Sequence, residues 1–79
     1  MSESQNLPAR PVQLQINNSG AWKTLARFDA GDEEAADKAH AAGQLLGELS
    51  PKATLRIATD EALPSVLTRW TAEDGWKVA

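Results

Sequence analysis

The chain has 79 residues, a formal net charge of −3 and no cysteine. This length makes one domain with a barely sufficient hydrophobic core, and the absence of cysteine excludes disulfides, thiolate catalysis and cysteine-based zinc sites. The acidic balance argues against general nucleic-acid binding, although a local basic patch is compatible with it.

Residues 1–11 are polar, contain Pro8 and Pro11, and lack the basic start and apolar run of a signal peptide. We expect them to form a disordered tail, followed by a single domain over residues 12–79. No stretch approaches the ~20 apolar residues that span a bilayer, so no membrane association is expected. The alanine-rich, arginine-containing composition suggests a bacterial protein, and the lack of a signal peptide and of cysteine suggests a cytoplasmic one.

Alternating apolar residues predict two strands, one from Val12 to Asn17 and one from Trp22 to Phe28. A loop over residues 18–20 that ends with Gly20 in the left-handed region would join them. This loop pairs Ile16 with Trp22. The register then puts both aromatic residues of the second strand on the face of Val12 and Ile16.

Asp29 or Asp32 can cap a helix of about 17 residues that ends before Pro51. The apolar spacing predicts which side of this helix packs on the sheet. That side consists of Ala35, Ala39, Ala42, Leu46 and Leu49.

The remaining chain predicts strands over residues 53–59, 66–71 and 76–78, with a turn at Gly75. A three-residue turn pairs Trp70 with Val78 and keeps Val66, Trp70 and Trp76 on one face. A two-residue Asp-Gly turn would move Trp76 to the opposite face. The first interpretation keeps both tryptophans in the core.

The predicted fold is therefore α+β: an antiparallel sheet of four to five strands, in ββαββ or ββαβββ order, with one amphipathic helix on one face. The strand order across the helix is left open. Three tryptophans are expected mainly in the core, and a stacking platform for bases or sugars would require one of them on the open sheet face.

Basic residues predicted to point away from the helix define a possible partner-binding face. Its members, with one leucine, are Lys23, Leu25, Arg27, Arg56, Arg69 and Lys77. The ordinary interpretation is a solvated sheet face with protected edges. The functional interpretation is an anionic partner, either an acidic protein or single-stranded nucleic acid.

Ala36, Gly43 and Gly47 form a smooth flank of the predicted helix. Glycine inside a helix lowers helix stability by about 1 kcal/mol relative to alanine. Close approach of another backbone is therefore a plausible reason for the two glycines. The flank could accommodate a strand of the same chain or a helix of a second copy.

No catalytic constellation is visible, so an enzyme is not expected. Glu33, Asp37 and His40 follow one another at helical spacing, but a solvated charged surface explains them better than a metal site. We expect no metal and no cofactor. The sequence favours a small protein–protein interaction or adaptor module, monomeric or homodimeric, with single-stranded nucleic-acid binding as the alternative.

Overall fold

Two strands, one helix and three further strands follow one another in the computed structural model, which describes residues 10–79. The predicted α+β class and the ββαβββ order are confirmed. The elements are β1 (Pro11–Asn17), β2 (Trp22–Asp29), α1 (Glu33–Leu49), β3 (Thr54–Thr59), β4 (Val66–Thr71) and β5 (Gly75–Val78).

The sheet begins slightly earlier than the domain boundary predicted at residue 12. Pro11 is the first residue of β1, and the Arg10 carbonyl accepts a hydrogen bond from the Ala30 amide at 2.9 Å. The Arg10 amide donates to the Asp29 carboxylate at 3.2 Å. The rest of the predicted tail, residues 1–9, lies outside the described residues.

All five strands form one antiparallel sheet in the order β2-β1-β3-β4-β5. Because β2 and β3 both pair with β1, they run parallel to each other, and α1 makes the long crossover connection that such strands require. Within residues 10–79, no helix combines the length and apolar character needed to cross a membrane.

The first hairpin differs from its predicted register. Asn17 pairs with Trp22, and the pairing shifts between Leu14 and Gln15, where Leu25 is the extra residue of a β-bulge. Gly20 does adopt a left-handed backbone with φ of 94°. Its amide donates to the Asn17 side chain at 2.9 Å, within a four-residue connection instead of three. Trp22 therefore lies on the opposite face from Ile16, and the predicted placement is wrong.

The second hairpin keeps the predicted face but not the predicted pairing. Trp70 pairs with Trp76, and Gly75 at φ of 72° follows the loop as the first residue of β5. Both indoles lie on one face, as the three-residue interpretation required. Val66 does not join them, because a register shift between Ile57 and Ala58 pairs Val66 with Ala58 on the other face.

The helix bounds follow from the capping residues that the sequence indicated. Asp32 is the N-cap, and its carboxylate accepts the amides of Glu34 and Ala35 at 3.1 and 3.2 Å. The helix has 17 residues and ends at Leu49, two residues before Pro51. An acidic first turn adds favourable charge at the positive end of the helix dipole.

The helix presents a different side to the sheet from the one predicted. Its buried residues are Ala39, Gly43 and Gly47, whereas Ala42, Leu46 and Leu49 are exposed. A Cβ atom at Gly47 would lie 2.1 Å from the Trp70 ring, and one at Gly43 would lie 2.6 Å from the Trp76 ring. The two indoles fill the space between the layers, so only residues without a side chain fit above them.

The hydrophobic core lies between α1 and the central strands. Its buried members come from three strands, and partly buried residues from the hairpins and the loop before α1 surround them. The buried set is Val12, Leu14, Leu55, Ile57 and Trp70, and the surrounding set is Ile16, Phe28, Ala30 and Trp76.

Candidate functional site

The sheet face that α1 leaves uncovered, here called the open face, carries a row of basic residues across neighbouring strands. Arg56 of β3 pairs with Arg69 of β4, and Arg69 pairs with Lys77 of β5. Paired residues on adjacent strands point to the same side of a sheet, and neighbouring strands lie about 4.8 Å apart. The three cations therefore form a straight row about 10 Å long, here called the cation row.

An indole lies at one end of the cation row. The guanidinium carbon of Arg56 is 4.1 Å from the centroid of the Trp22 ring, which is a cation–π stacking distance. Trp22 reaches this position because it pairs with Asn17 of β1, and Asn17 points to the open face, as Gln15 does. The β-bulge at Leu25 thus determines that Trp22 joins the cation row instead of the core.

Two buried glutamines hold Arg56 in place. Gln13 and Gln15 are only 5% and 8% exposed although they lie on the open face. The Arg56 Nε–H donates to Gln15 Oε1 at 2.7 Å, and Gln15 Nε2 donates to the Thr24 hydroxyl at 3.1 Å. Thr24 in turn donates to Gln13 Oε1 at 2.8 Å, and Gln13 donates to the Thr59 carbonyl at 3.1 Å. This chain of hydrogen bonds fixes the guanidinium before any ligand arrives.

The centre of the cation row has no compensating negative charge. Among residues 10–79, neither Arg56 nor Arg69 forms a salt bridge. Burial lowers the pKa of Arg56, and the neighbouring charge of Arg69 lowers it further. Like charges directly opposite each other on a sheet destabilise it, so this pair is a local cost to the fold.

Carboxylates do occur at the margins of the open face. Asp60 pairs with Arg27 at 3.3 Å, and Asp74 pairs with Lys77 at 3.7 Å. Asp29, the last residue of β2, accepts hydrogen bonds from the amides of Arg10 and Gly31. Among the described residues, negative charge on the open face is therefore confined to its edges, and Arg56 and Arg69 have no carboxylate partner.

A shallow depression adjoins the far end of the cation row. It has a volume of about 190 Å³, and Arg69, Thr71 and Lys77 contribute to its lining together with Asp74 and the residues 78–79 at the chain end. The depression gives access to Arg69 and Lys77 from one side, and the Asp74 carboxylate that pairs with Lys77 lies at the same place.

The structure brings together most of the residues predicted for the basic face. Arg27, Arg56, Arg69 and Lys77 lie on the open face by their strand pairing. Lys23 does not, because it pairs with Ile16 and shares the helix-covered side. Its predicted position is wrong for the same reason as that of Trp22: the hairpin register differs by one residue.

Leu25 is the bulge residue of β2 and is 45% exposed. It lies outside the regular pairing, so the alternation that predicted its face does not apply to it. Trp22 is the residue that the sequence placed on the wrong face, and no local signal marks the bulge that moves it.

The predicted oligomer contact at Ala36, Gly43 and Gly47 is occupied by the chain itself at both glycines. Gly43 lies against Trp76 and Leu55, and Gly47 lies against Trp70. Of the two explanations for a smooth helix flank, the accommodation of strands of the same chain therefore fits the contacts.

Two leucines that the sequence assigned to the core, Leu46 and Leu49, lie instead with Leu45 in an exposed stripe on α1. Leu45, Leu46 and Leu49 are 59%, 38% and 74% exposed. With exposed Ala42 they follow a spacing of three, one and three residues along one flank of the helix, here called the leucine stripe. Clusters of this kind commonly mark interaction surfaces.

His40 packs toward the sheet and not toward solvent as the sequence suggested. Its ring lies edge-on to Trp76 at a centroid distance of 4.9 Å, and its Nδ1 atom is 2.7 Å from the Ala36 carbonyl. The Trp76 indole N–H donates to the His40 carbonyl at 2.9 Å. In the part of the chain that the structure describes, no three histidine or carboxylate side chains group together as metal ligands.

Comparison of this chain with protein-family models, with curated proteins and with solved structures finds no match.

Proposed function

We propose that this chain is a small binding module and that the open face receives an anionic partner. The observation that carries the proposal is the direct pairing of Arg56 with Arg69, with no carboxylate partner for either among residues 10–79. Two arginines held opposite each other disfavour folding unless an anion offsets their repulsion. A bound phosphate or carboxylate would supply that charge through charge-assisted hydrogen bonds.

The fixed position of Arg56 supports the same proposal. Its guanidinium is held on one edge by Gln15 and lies on the Trp22 ring. A donor that is already immobile loses less conformational entropy when it binds a ligand. Solvated basic residues that only protect a sheet need no such hydrogen-bond chain behind them.

The test is a calorimetric titration of the full chain with inorganic polyphosphate at low salt. We expect saturable binding that weakens as salt rises, because bound phosphates release counterions. Arg69→Gln should weaken binding about tenfold or more, the value of a hydrogen bond between charged groups. Lys52→Gln removes the same charge from an exposed position outside the open face and serves as the matched control.

Two outcomes would contradict the proposal. One is the absence of any heat of binding at low salt. The other is an equal effect of Arg69→Gln and Lys52→Gln, which would show that net charge matters and the open face does not.

A second candidate function is protein–protein contact through the leucine stripe, with a second copy of the chain as the partner. In a twofold arrangement with antiparallel helices, each stripe would cover the other. The small size of the chain makes burial of exposed leucines valuable for stability.

Sedimentation at high micromolar concentration tests this second candidate. The self-association proposal predicts a dimer that Leu45→Gln and Leu49→Gln convert to a monomer, with the exposed Gln44→Ala as the control. A strict monomer in the unsubstituted chain would remove it.

A further inference from the structure

We infer that the anionic partner of the open face is single-stranded nucleic acid, an inference that rests on the proposed function and names its ligand. The observation behind it is that Trp22 and the cation row are one continuous surface. A row of cations alone would accept any anion. An indole placed beside the cations offers a stacking surface, which bases use and carboxylates do not.

The two ends of this surface would contact different parts of the nucleic acid. Trp22 and the guanidinium of Arg56 already form a stacked pair with a distance of 4.1 Å. Both aromatic rings and guanidinium planes stack with unpaired bases in nucleic-acid complexes. Arg69 and Lys77 continue the row away from this pair and would contact the backbone phosphates.

The length of the surface limits what it can hold. A strand of nucleic acid advances 3.4 Å per nucleotide in a stacked duplex. The cation row is about 10 Å long, so it accommodates the phosphates of no more than about three nucleotides. The expected binding is therefore weak and strongly dependent on salt.

Double-stranded nucleic acid fits this surface poorly. Sequence reading in a duplex uses a helix or a β-ribbon that enters a groove. The helix α1 packs on the other side of the sheet, where Gly43 and Gly47 contact Trp76 and Trp70. The open face presents flat strands, and a duplex would not expose its bases to Trp22.

The neighbouring polar residues are consistent with a nucleic-acid ligand. Thr24 and Gln15 continue the cation row onto β2 and β1, so that every strand contributes one residue to the line. All five residues are donors of hydrogen bonds, and none carries a negative charge. An acidic peptide could use the arginines, but it has no base to stack on the pair formed by Trp22 and Arg56.

The experiment compares four probes by titration: a short oligothymidylate, inorganic polyphosphate, polyglutamate and a duplex of the same length as the oligothymidylate. The inference predicts the tightest binding for oligothymidylate, accompanied by quenching of tryptophan fluorescence. Trp22→Leu should abolish the quenching and weaken oligothymidylate binding about 5- to 150-fold, the range for one stacked base. Trp22→Phe should retain part of the binding.

Polyphosphate provides the readout that separates the two proposals. Its binding should depend strongly on Arg69 and much less on Trp22, because polyphosphate has no bases and Trp22 only supports the position of Arg56. If polyphosphate or polyglutamate binds as tightly as oligothymidylate and Trp22→Leu changes nothing, the nucleic-acid inference is overturned while the anion-binding function stands. If no probe binds, both fall. Thermal unfolding of Trp22→Leu verifies that the variant is folded before its affinity is compared.

Discussion

The contact between Gly47 and Trp70 makes a quantitative prediction about the packing of α1. Replacing Gly47 by alanine adds one methyl group 2.1, 2.4 and 2.6 Å from three carbons of the indole. Trp70 is only 4% exposed, so its ring has little room to move. Overpacking of this kind costs about 1–3 kcal/mol, while alanine improves helix propensity by about 1 kcal/mol over glycine.

Because three ring atoms are too close at once, we place the cost near the upper end of that range. Gly47→Ala should then lower the free energy of unfolding by about 1–2 kcal/mol and the melting temperature by roughly 5–15 °C. The assay is thermal and urea unfolding followed by circular dichroism. Gly43→Ala should cost less, because only one ring atom of Trp76 lies within 3.0 Å of the added carbon.

Two controls isolate the steric cause. Gln44→Ala on the exposed side of the helix should change stability by no more than about 0.5 kcal/mol. In the background of Gly47→Ala, Trp70→Leu should cost less than it does in the unsubstituted chain, because the smaller side chain removes the clash. A gain of stability in Gly47→Ala would refute this account of the helix orientation.

Three further predictions concern the caps, the turns and the tryptophans. Asp32→Ala removes the N-cap acceptor and should lower the free energy of unfolding by about 1 kcal/mol, measured by urea unfolding. Gly75 has open space around its α-carbon but a φ of 72°. Gly75→Ala should therefore destabilise the fold by about 1–2 kcal/mol, and Gly75→Asn should destabilise it less. Equal losses of stability in the two variants would contradict the turn geometry. In acrylamide quenching, the half-buried Trp22 should contribute to the accessible fluorescence, so Trp22→Phe should lower the accessible fraction; an unchanged fraction would count against its position on the open face.

The sequence predicted the elements well because their signals are local. Alternation along β1 and β3, the cap at Asp32 and the stop at Pro51 each depend on a few neighbouring residues. The observed helix, Glu33–Leu49, accordingly has the predicted length.

The prediction from the sequence was wrong where one extra residue in a strand moves the following side chains to the other side of the sheet. The bulge at Leu25 and the register shift between Ile57 and Ala58 each invert the alternation beyond them, which moves Trp22 and Val66 to the other side. A bulge carries no strong sequence signature, and its position depends on how neighbouring strands pair.

The side of the helix that packs on the sheet was predicted wrongly for a different reason. Hydrophobic periodicity selects leucines for the buried side, and glycine adds little to that pattern. Steric space decided instead, because Trp70 and Trp76 leave no room for side chains above them. The same choice exposes Leu46 and Leu49 in the leucine stripe, so this candidate surface became visible only with the tertiary packing. Most of the basic face, in contrast, was predicted from the alternation along the strands.

The central claim is that the open face is the ligand-binding surface, and mapping of amide shifts by nuclear magnetic resonance tests it most directly. On addition of oligothymidylate, we predict shifts at the backbone amides of Arg56, Arg69 and Lys77 and at the indole N–H of Trp22, with the indole signals of Trp70 and Trp76 nearly unchanged. Shifts confined to the leucine stripe of α1 would contradict the claim, and so would the absence of any shift at saturating oligothymidylate.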